Sequence, residues 1–218
     1  MDFNFELVIN SLPFLLKGAW VTLQMSVLGI LFGTLCGLLL AFFLLSRRKF
    51  LEIPTKMLIN LIRGIPFIIQ IFIVYYSFSS FGVEIPAFAS GVLAMSLNTA
   101  AFQAEIIRAG IESIPKGQSE AATALGVSKL QTMTRIIIPQ VFVKILPSIT
   151  NELITLLKNS SLVSVIAVVD LTRVGQQIVS TSYSPAEIYL AVSLLYLLMN
   201  LMISQGSKYL ERKTAIYR

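Results

Sequence analysis

Histidine is absent from this 218-residue chain, and cysteine occurs once, at Cys36 inside an apolar run. Those shortages exclude a disulfide framework, a His/Cys metal site and any catalytic triad that turns on histidine. Charge is scarce too: 13% of residues are Asp, Glu, Lys or Arg, about half the roughly 25% of a soluble domain. No charged cluster suited to acid–base work takes the place of the missing histidine, so an embedded enzyme would lack its constellation. What is plentiful is apolar: 56% of residues are hydrophobic and the mean hydropathy is +0.80. This is the composition of an all-α polytopic membrane protein. The net charge of +6 does not point to nucleic acid, because the basic residues sit between apolar runs and form no single patch.

A helix needs about 20 mostly apolar residues to cross the hydrocarbon core, and the sequence offers five such runs. They are Ala19 to Leu45, Ile53 to Phe78 interrupted by "RGIP", Pro86 to Ile107, Pro147 to Val169, and Glu187 to Ser207. Residues 3 to 16, with Pro13 and Lys17, look too polar for the first span and are expected along the outer interface. The opening "MDFNFELVIN" is acidic where a cleaved signal would be basic, so it is expected to be retained. No internal repeat or linker divides residues 1–218, which read as one domain.

Basic loops stay in the cytoplasm. Arg47, Arg48, Lys49 and Lys56 follow the first run; Arg108, Lys116, Lys129, Arg135 and Lys144 lie between the third and fourth; Lys208, Arg212, Lys213 and Arg218 follow the fifth. The other side has Lys17 and Arg173 beside Asp2, Glu6, Glu84, Asp170 and Glu187. The N-terminus is therefore expected outside and the C-terminus in the cytoplasm, as an odd number of spans requires.

Between the third and fourth runs lies a polar interval, residues 115 to 139, "PKGQSEAATALGVSKLQTMTRIIIP". Pro115 and Gly117 break the preceding helix, Ser119 is placed to cap a new one, and Glu120 falls in its first turn, where the helix dipole favours an anion. Gly126 has the position of a left-handed terminator, and Ser128 with Gln131 has capping-box form for a second helix ending at Ile138, before Pro139. The expectation is two short helices and a sharp bend. Ala121, Ala122 and Ala124 leave the first helix slim enough for another backbone to approach. From the residues alone, a capped hairpin that merely links two spans fits equally well.

"EAATALGVSKLQTMTRIIIP" closely resembles the EAA motif of permease subunits of bacterial ATP-binding-cassette importers: Glu-Ala-Ala, three residues, Gly, nine residues, Ile-x-Leu-Pro, with Ile138 here replacing the usual Leu. "RGIPFIIQI" (63 to 71), "NTAAFQAEIIRAGIESIPKGQSEAA" (98 to 122) and "LKNSSLVSVI" (157 to 166) extend the resemblance to the polar amino-acid uptake branch, over most of the chain. The resemblance implies a multi-pass protein of the bacterial cytoplasmic membrane. It implies a coupling helix carrying Glu120, Ala121, Ala122, Gly126 and Pro139, docked on a separate ATPase dimer. A second permease subunit, identical or paralogous, and an extracytoplasmic amino-acid-binding protein complete the implied assembly. ATP would be bound by the partner, since this chain has no G-x-x-x-x-G-K-[ST] loop and needs no cofactor of its own. A channel or secondary carrier working without ATP would predict inverted repeats or a longer chain.

Ionisable and amide groups at membrane depth are functional candidates by default. Asn98 and Glu152 are expected to meet the ammonium and carboxylate of a free amino acid, and Glu152 would suit a cationic side chain. Gln70, one turn after Pro66, either joins them or satisfies carbonyls freed by the proline kink. Lys158, six residues after Glu152, projects about 120° away from it and is expected near the outer mouth or a symmetry mate. Arg63 and Glu105, near expected cytoplasmic ends, read as interfacial or paired charges in preference to direct ligand contacts, and Arg108 as a headgroup or loop contact.

Overall fold

The computed structural model describes residues 3–46, 48–80 and 82–214, and all regular elements among them are helices. Asp2, Arg47 and Arg218, which entered the charge balance, lie outside the described residues.

The first helix, α1, runs Phe5–Leu44, 40 residues or about 60 Å. Asn4 starts it, its side-chain oxygen accepting the N–H of Leu7 at 2.9 Å. Residues 3 to 16 are therefore no separate interfacial segment: the helix passes straight through Pro13. Pro13 removes only the N–H that would have met the carbonyl of Ile9. Packing supplies the rest, because Leu15 is fully buried, and Leu7 and Val8 lie with it against Leu171, Val174 and Ile188.

Helices α2, Lys49–Gly64, and α3, Phe67–Ser80, meet at a bend of 107°. Ile65, the residue before Pro66, is extended (φ −98°, ψ 132°), as steric conflict with a following proline requires. Helix α4, Ala87–Glu112, is the interior helix and buries Ser90, Ser96, Asn98, Thr99 and Gln103 along with its alanines. Its partner is α1, where Gly29, Gly33 and Gly37 present one bare notch per turn; a Cβ on Gly33 would stand 2.7 Å from Cβ of Thr99. Small residues at this spacing let helices in a bilayer approach closely.

The polar interval forms α5, Lys116–Ala124, then α6, Lys129–Gln131, which continues through a π-helical turn, Thr132–Ile137, into α7, Ile138–Asn159. The second helix thus does not end before Pro139, and the fourth run begins well before Pro147; helix is continuous from Lys129 to Ile166. The wide turn explains the continuity. Ile138 bonds back to Met133, five residues earlier, so Pro139 enters a ladder that has already been relaxed. A 3₁₀ stretch, Ser160–Ile166, closes this rod. Helix α8, Leu171–Ser182, capped by Asp170, was not anticipated, and α9, Pro185–Thr214, ends the described chain.

Phe5–Leu44, Lys129–Ile166 and Pro185–Lys213 are long and apolar enough to cross a membrane, and the bent pair α2–α3 counts as a fourth such unit. Helix α4 has the length, 26 residues, but its polar side chains lower its hydropathy; surrounded by protein, it has less need of an oily surface.

Candidate functional site

Two places in the fold concentrate polar groups. The first is the α2–α3 bend. Breaking a helix frees carbonyls, and here the Gln70 amide takes two of them, donating to Ile62 O at 2.7 Å and Ile65 O at 2.9 Å. Its oxygen accepts from Nδ2 of Asn98 at 3.2 Å. The structure therefore brings Gln70 and Asn98 together as a brace: Asn98 is buried, and both Gln70 donors are engaged at the bend.

Arg63 stands one residue before Gly64, the last of α2, and so lies at the bend between α2 and α3. Its guanidinium sits 5.1 Å from the centre of the Phe102 ring, a cation–π contact that fixes the charge without neutralising it. Arg63 and Phe102 line a groove of about 430 Å³ with Glu105, Ser113, Lys144 and Ser148. Glu105 accepts from Arg108 at 2.7 Å, and Arg108 also reaches Glu112 at 2.6 Å, so Arg108 is an ion-pair partner within α4. Lys144 donates to the carbonyl of Ser113 at 3.1 Å, closing the groove's lower end onto the α4 terminus.

Glu152, one turn beyond Ser148 on α7, is half-buried, makes no hydrogen bond among the described residues, and feels the charge of Arg63. The groove itself thus holds the Arg63 cation and the ion-paired Glu105, and Glu152 stands one turn beyond its Ser148 wall, without a hydrogen-bond partner among the described residues. Lys158 lies in the last turn of α7, exposed; nothing in the fold brings it to Glu152. Sequence reasoning weighed Arg63 for ligand contact but did not place it at the bend. The available signal was the Pro66 break three residues later, which marks a discontinuous helix.

The second place is the hairpin α5–α6. Helix α5 begins at Lys116 after Pro115, so Ser119 is not its cap, and Glu120 lies beyond its first turn. Proline's fixed φ makes the start there, and Gly117 is tolerated within the first turn. Gly126 does have a left-handed φ of 75°. Its N–H bonds Thr123 O at 3.0 Å, and that of Val127 bonds Ala122 O at 3.0 Å, the Schellman termination. The Ser128–Gln131 capping box forms as the spacing predicts. Gln118 and Gln140 exchange side-chain hydrogen bonds, one of 2.9 Å, and clamp α5 to α7.

Glu120 and Ala121 are exposed, but Ala122 is buried against its own chain and Pro139 is half-buried, so the slim face is not uniformly free. Two residues that the sequence did not single out dominate the outside of the bend: Leu125, 82% exposed, and Leu130, 73% exposed.

At the start of α8, Asp170 is fully buried. It accepts from the backbone N–H of Arg173 at 2.9 Å and from Tyr196 at 3.4 Å. Burial pushes its carboxyl up to about 6, against the partial relief of those hydrogen bonds.

Residues 29–216 match the family described as binding-protein-dependent transport system inner membrane component. The chain is 38% identical over 215 residues to the arginine transport system permease protein ArtQ of Bacillus subtilis, covering 98% of each. It is 34% identical over 206 residues to the L-cystine transport system permease protein TcyB of the same organism, covering 94% of this chain and 88% of that one. Among solved structures, an amino acid ABC transporter crystallised with histidines superposes with a TM-score of 0.91 at 38% identity, over 98% of this chain and 100% of that chain. The inward-facing methionine transporter MetNI shares the fold at a TM-score of 0.80 and 23% identity, over 93% of this chain and 97% of that one. With the family matched over most of its length, the chain belongs to the binding-protein-dependent inner membrane components, as a permease subunit of the polar amino-acid ABC importers, a transport and not a catalytic subunit.

Proposed function

We propose that the chain forms half of the membrane pathway of an ATP-driven amino-acid importer in the bacterial cytoplasmic membrane. It crosses five times, through α1, the broken pair α2–α3, α4, the Lys129–Ile166 rod and α9, with its N-terminus outside and its C-terminus in the cytoplasm. A second permease subunit completes the path, an extracytoplasmic binding protein delivers the substrate, and an ATPase dimer docks on the α5–α6 hairpin.

The observation that carries this reading is the bend: Arg63, held over Phe102 at the break between two half-helices, faces a groove neighbouring an unengaged Glu152. Arg63 takes the substrate carboxylate and Glu152 its ammonium, or a cationic side chain. Asn98 and Gln70 hold the bend open, and Lys158 serves the outer mouth. On the hairpin, Glu120, Ala121 and Gly126 with Leu125 and Leu130 form the docking surface, while Ala122 and Pro139 support it from inside.

Two experiments test the assignment. Uptake of labelled amino acids is measured in proteoliposomes containing the ATPase and binding protein, with unlabelled amino acids as competitors; ATP-independent uptake would defeat it. In a Cys36→Ser background, Ser46→Cys is expected to react with an impermeant thiol reagent only from the cytoplasmic side and Ser184→Cys only from outside; the reverse pattern inverts the topology.

A further inference from the structure

Helix α2 has three faces. Thr55 and Ile59 are buried, Ile59 against Ala41, Ala101 and Ala104. Phe50, Met57 and Leu61 are apolar and exposed, at 69%, 68% and 61%, as lipid demands. The third face carries Lys49, Lys56 and Arg63, all exposed, with exposed Asn60 among them and the half-buried Glu52 at its edge, one turn before Lys56. Seven residues fall about 20° short of two turns, so these three cations form a stripe whose members stand about 10 Å apart along the axis. The stripe runs from the start of α2 to the bend. Among the described residues, neither Lys49 nor Lys56 has a carboxylate within 4 Å.

A lysine facing hydrocarbon within a span costs about 2.5–3.5 kcal/mol, so a charged face beside an apolar one on the same helix is turned to water or to protein. Resting on the importer reading above, we propose that this face of α2 is one wall of the cytoplasmic exit, where Lys56 and then Lys49 receive the substrate carboxylate after it leaves Arg63. The stripe addresses the group common to all amino acids and is indifferent to their side chains. Its steps are short enough for the carboxylate to meet the next cation soon after losing the last. Lys56 is therefore a positioning residue for release, not part of the site from which transport begins.

The test uses the full complex with ATPase and binding protein. In a Cys36→Ser background, Lys56→Cys is expected to react from the cytoplasmic side with an impermeant anionic thiosulfonate, and Met57→Cys to react at least tenfold more slowly. Lys56→Gln should lower the kcat of uptake several-fold with KM unchanged, and Lys56→Arg should restore it. No reaction at position 56, equal reaction at 56 and 57, or wild-type kcat in Lys56→Gln would each overturn the proposal. A Lys56→Gln defect seen only in vesicles containing anionic lipid would assign Lys56 to headgroups and overturn it as well. ATP-driven uptake by the unmodified complex tests the importer reading separately, since the labelling pattern does not depend on it.

Discussion

Gly126 isolates conformation from contact. Its φ of 75° lies in the left-handed region, and a Cβ built there meets nothing within 4 Å. Within the chain, any effect of substitution therefore comes from the backbone alone, and the Asn variant separates that from a side-chain clash with the docked ATPase. An L-residue in that conformation costs about 1–2 kcal/mol, roughly a 5- to 30-fold shift in the population of the formed bend. A β-branched residue costs more, whereas asparagine tolerates the conformation. The expected series for ATP-coupled uptake is Gly ≈ Asn > Ala > Val. Assembly should survive throughout, because α5 remains held by Ala122 and by the Gln118–Gln140 clamp. The assay is uptake per ATP hydrolysed in proteoliposomes, alongside recovery of intact complex. Wild-type coupling in Gly126→Val would refute the reasoning, and so would equal defects in the Asn and Val variants, since a loss blind to φ cannot be conformational.

Glu152→Gln should keep the shape of the groove but lose one charge-assisted hydrogen bond to substrate, about 1.5–3 kcal/mol or roughly ten- to a hundredfold in transport KM; a fall in thermal stability with unchanged KM would make the residue structural. Gln70→Leu strands the carbonyls of Ile62 and Ile65 and the Asn98 amide, at about 1–3 kcal/mol for each group left buried and unpaired, so thermal unfolding should move down markedly, which scanning calorimetry or fluorimetry would read. Because Asp170 holds its proton more tightly folded than unfolded, its raised value should make stability fall as pH rises from about 4 to about 6; Asp170→Asn should flatten that window in pH-dependent melting while keeping the cap, and an unaltered profile would remove Asp170 as its source.

Local chemistry was the legible part. The Gly126 turn and the Ser128–Gln131 box form from residues within a few positions of one another, and their spacing alone specified them. Helix ends and depth were harder. Residues 3 to 16 read as too polar for the first span and Pro139 as a boundary, yet α1 runs through that segment because Leu15 and its neighbours are packed on α8 and α9, and the rod continues because a π turn absorbs Pro139. Arg63 was placed at a helix end because the bend that carries it to Phe102 is a tertiary event. Likewise, no periodicity indicates that the side-chain amide of Asn98 meets Gln70, 28 residues away.

The unbroken helix from Lys129 to Ile166 puts the proposed docking hairpin and Glu152 on one shaft. Glu152 stands 23 residues beyond Lys129, about 35 Å along the axis. A shaft of that length acts as a lever arm: pivoting it by about 5° at the hairpin sweeps the far carboxylate through about 3 Å, the length of one hydrogen bond. A gear ratio of that kind lets a small shift at a docked surface make or release a grip on substrate. The π turn sets the register of the shaft, so shortening that turn by one residue would rotate the lever by about 100° and aim Glu152 away from Arg63.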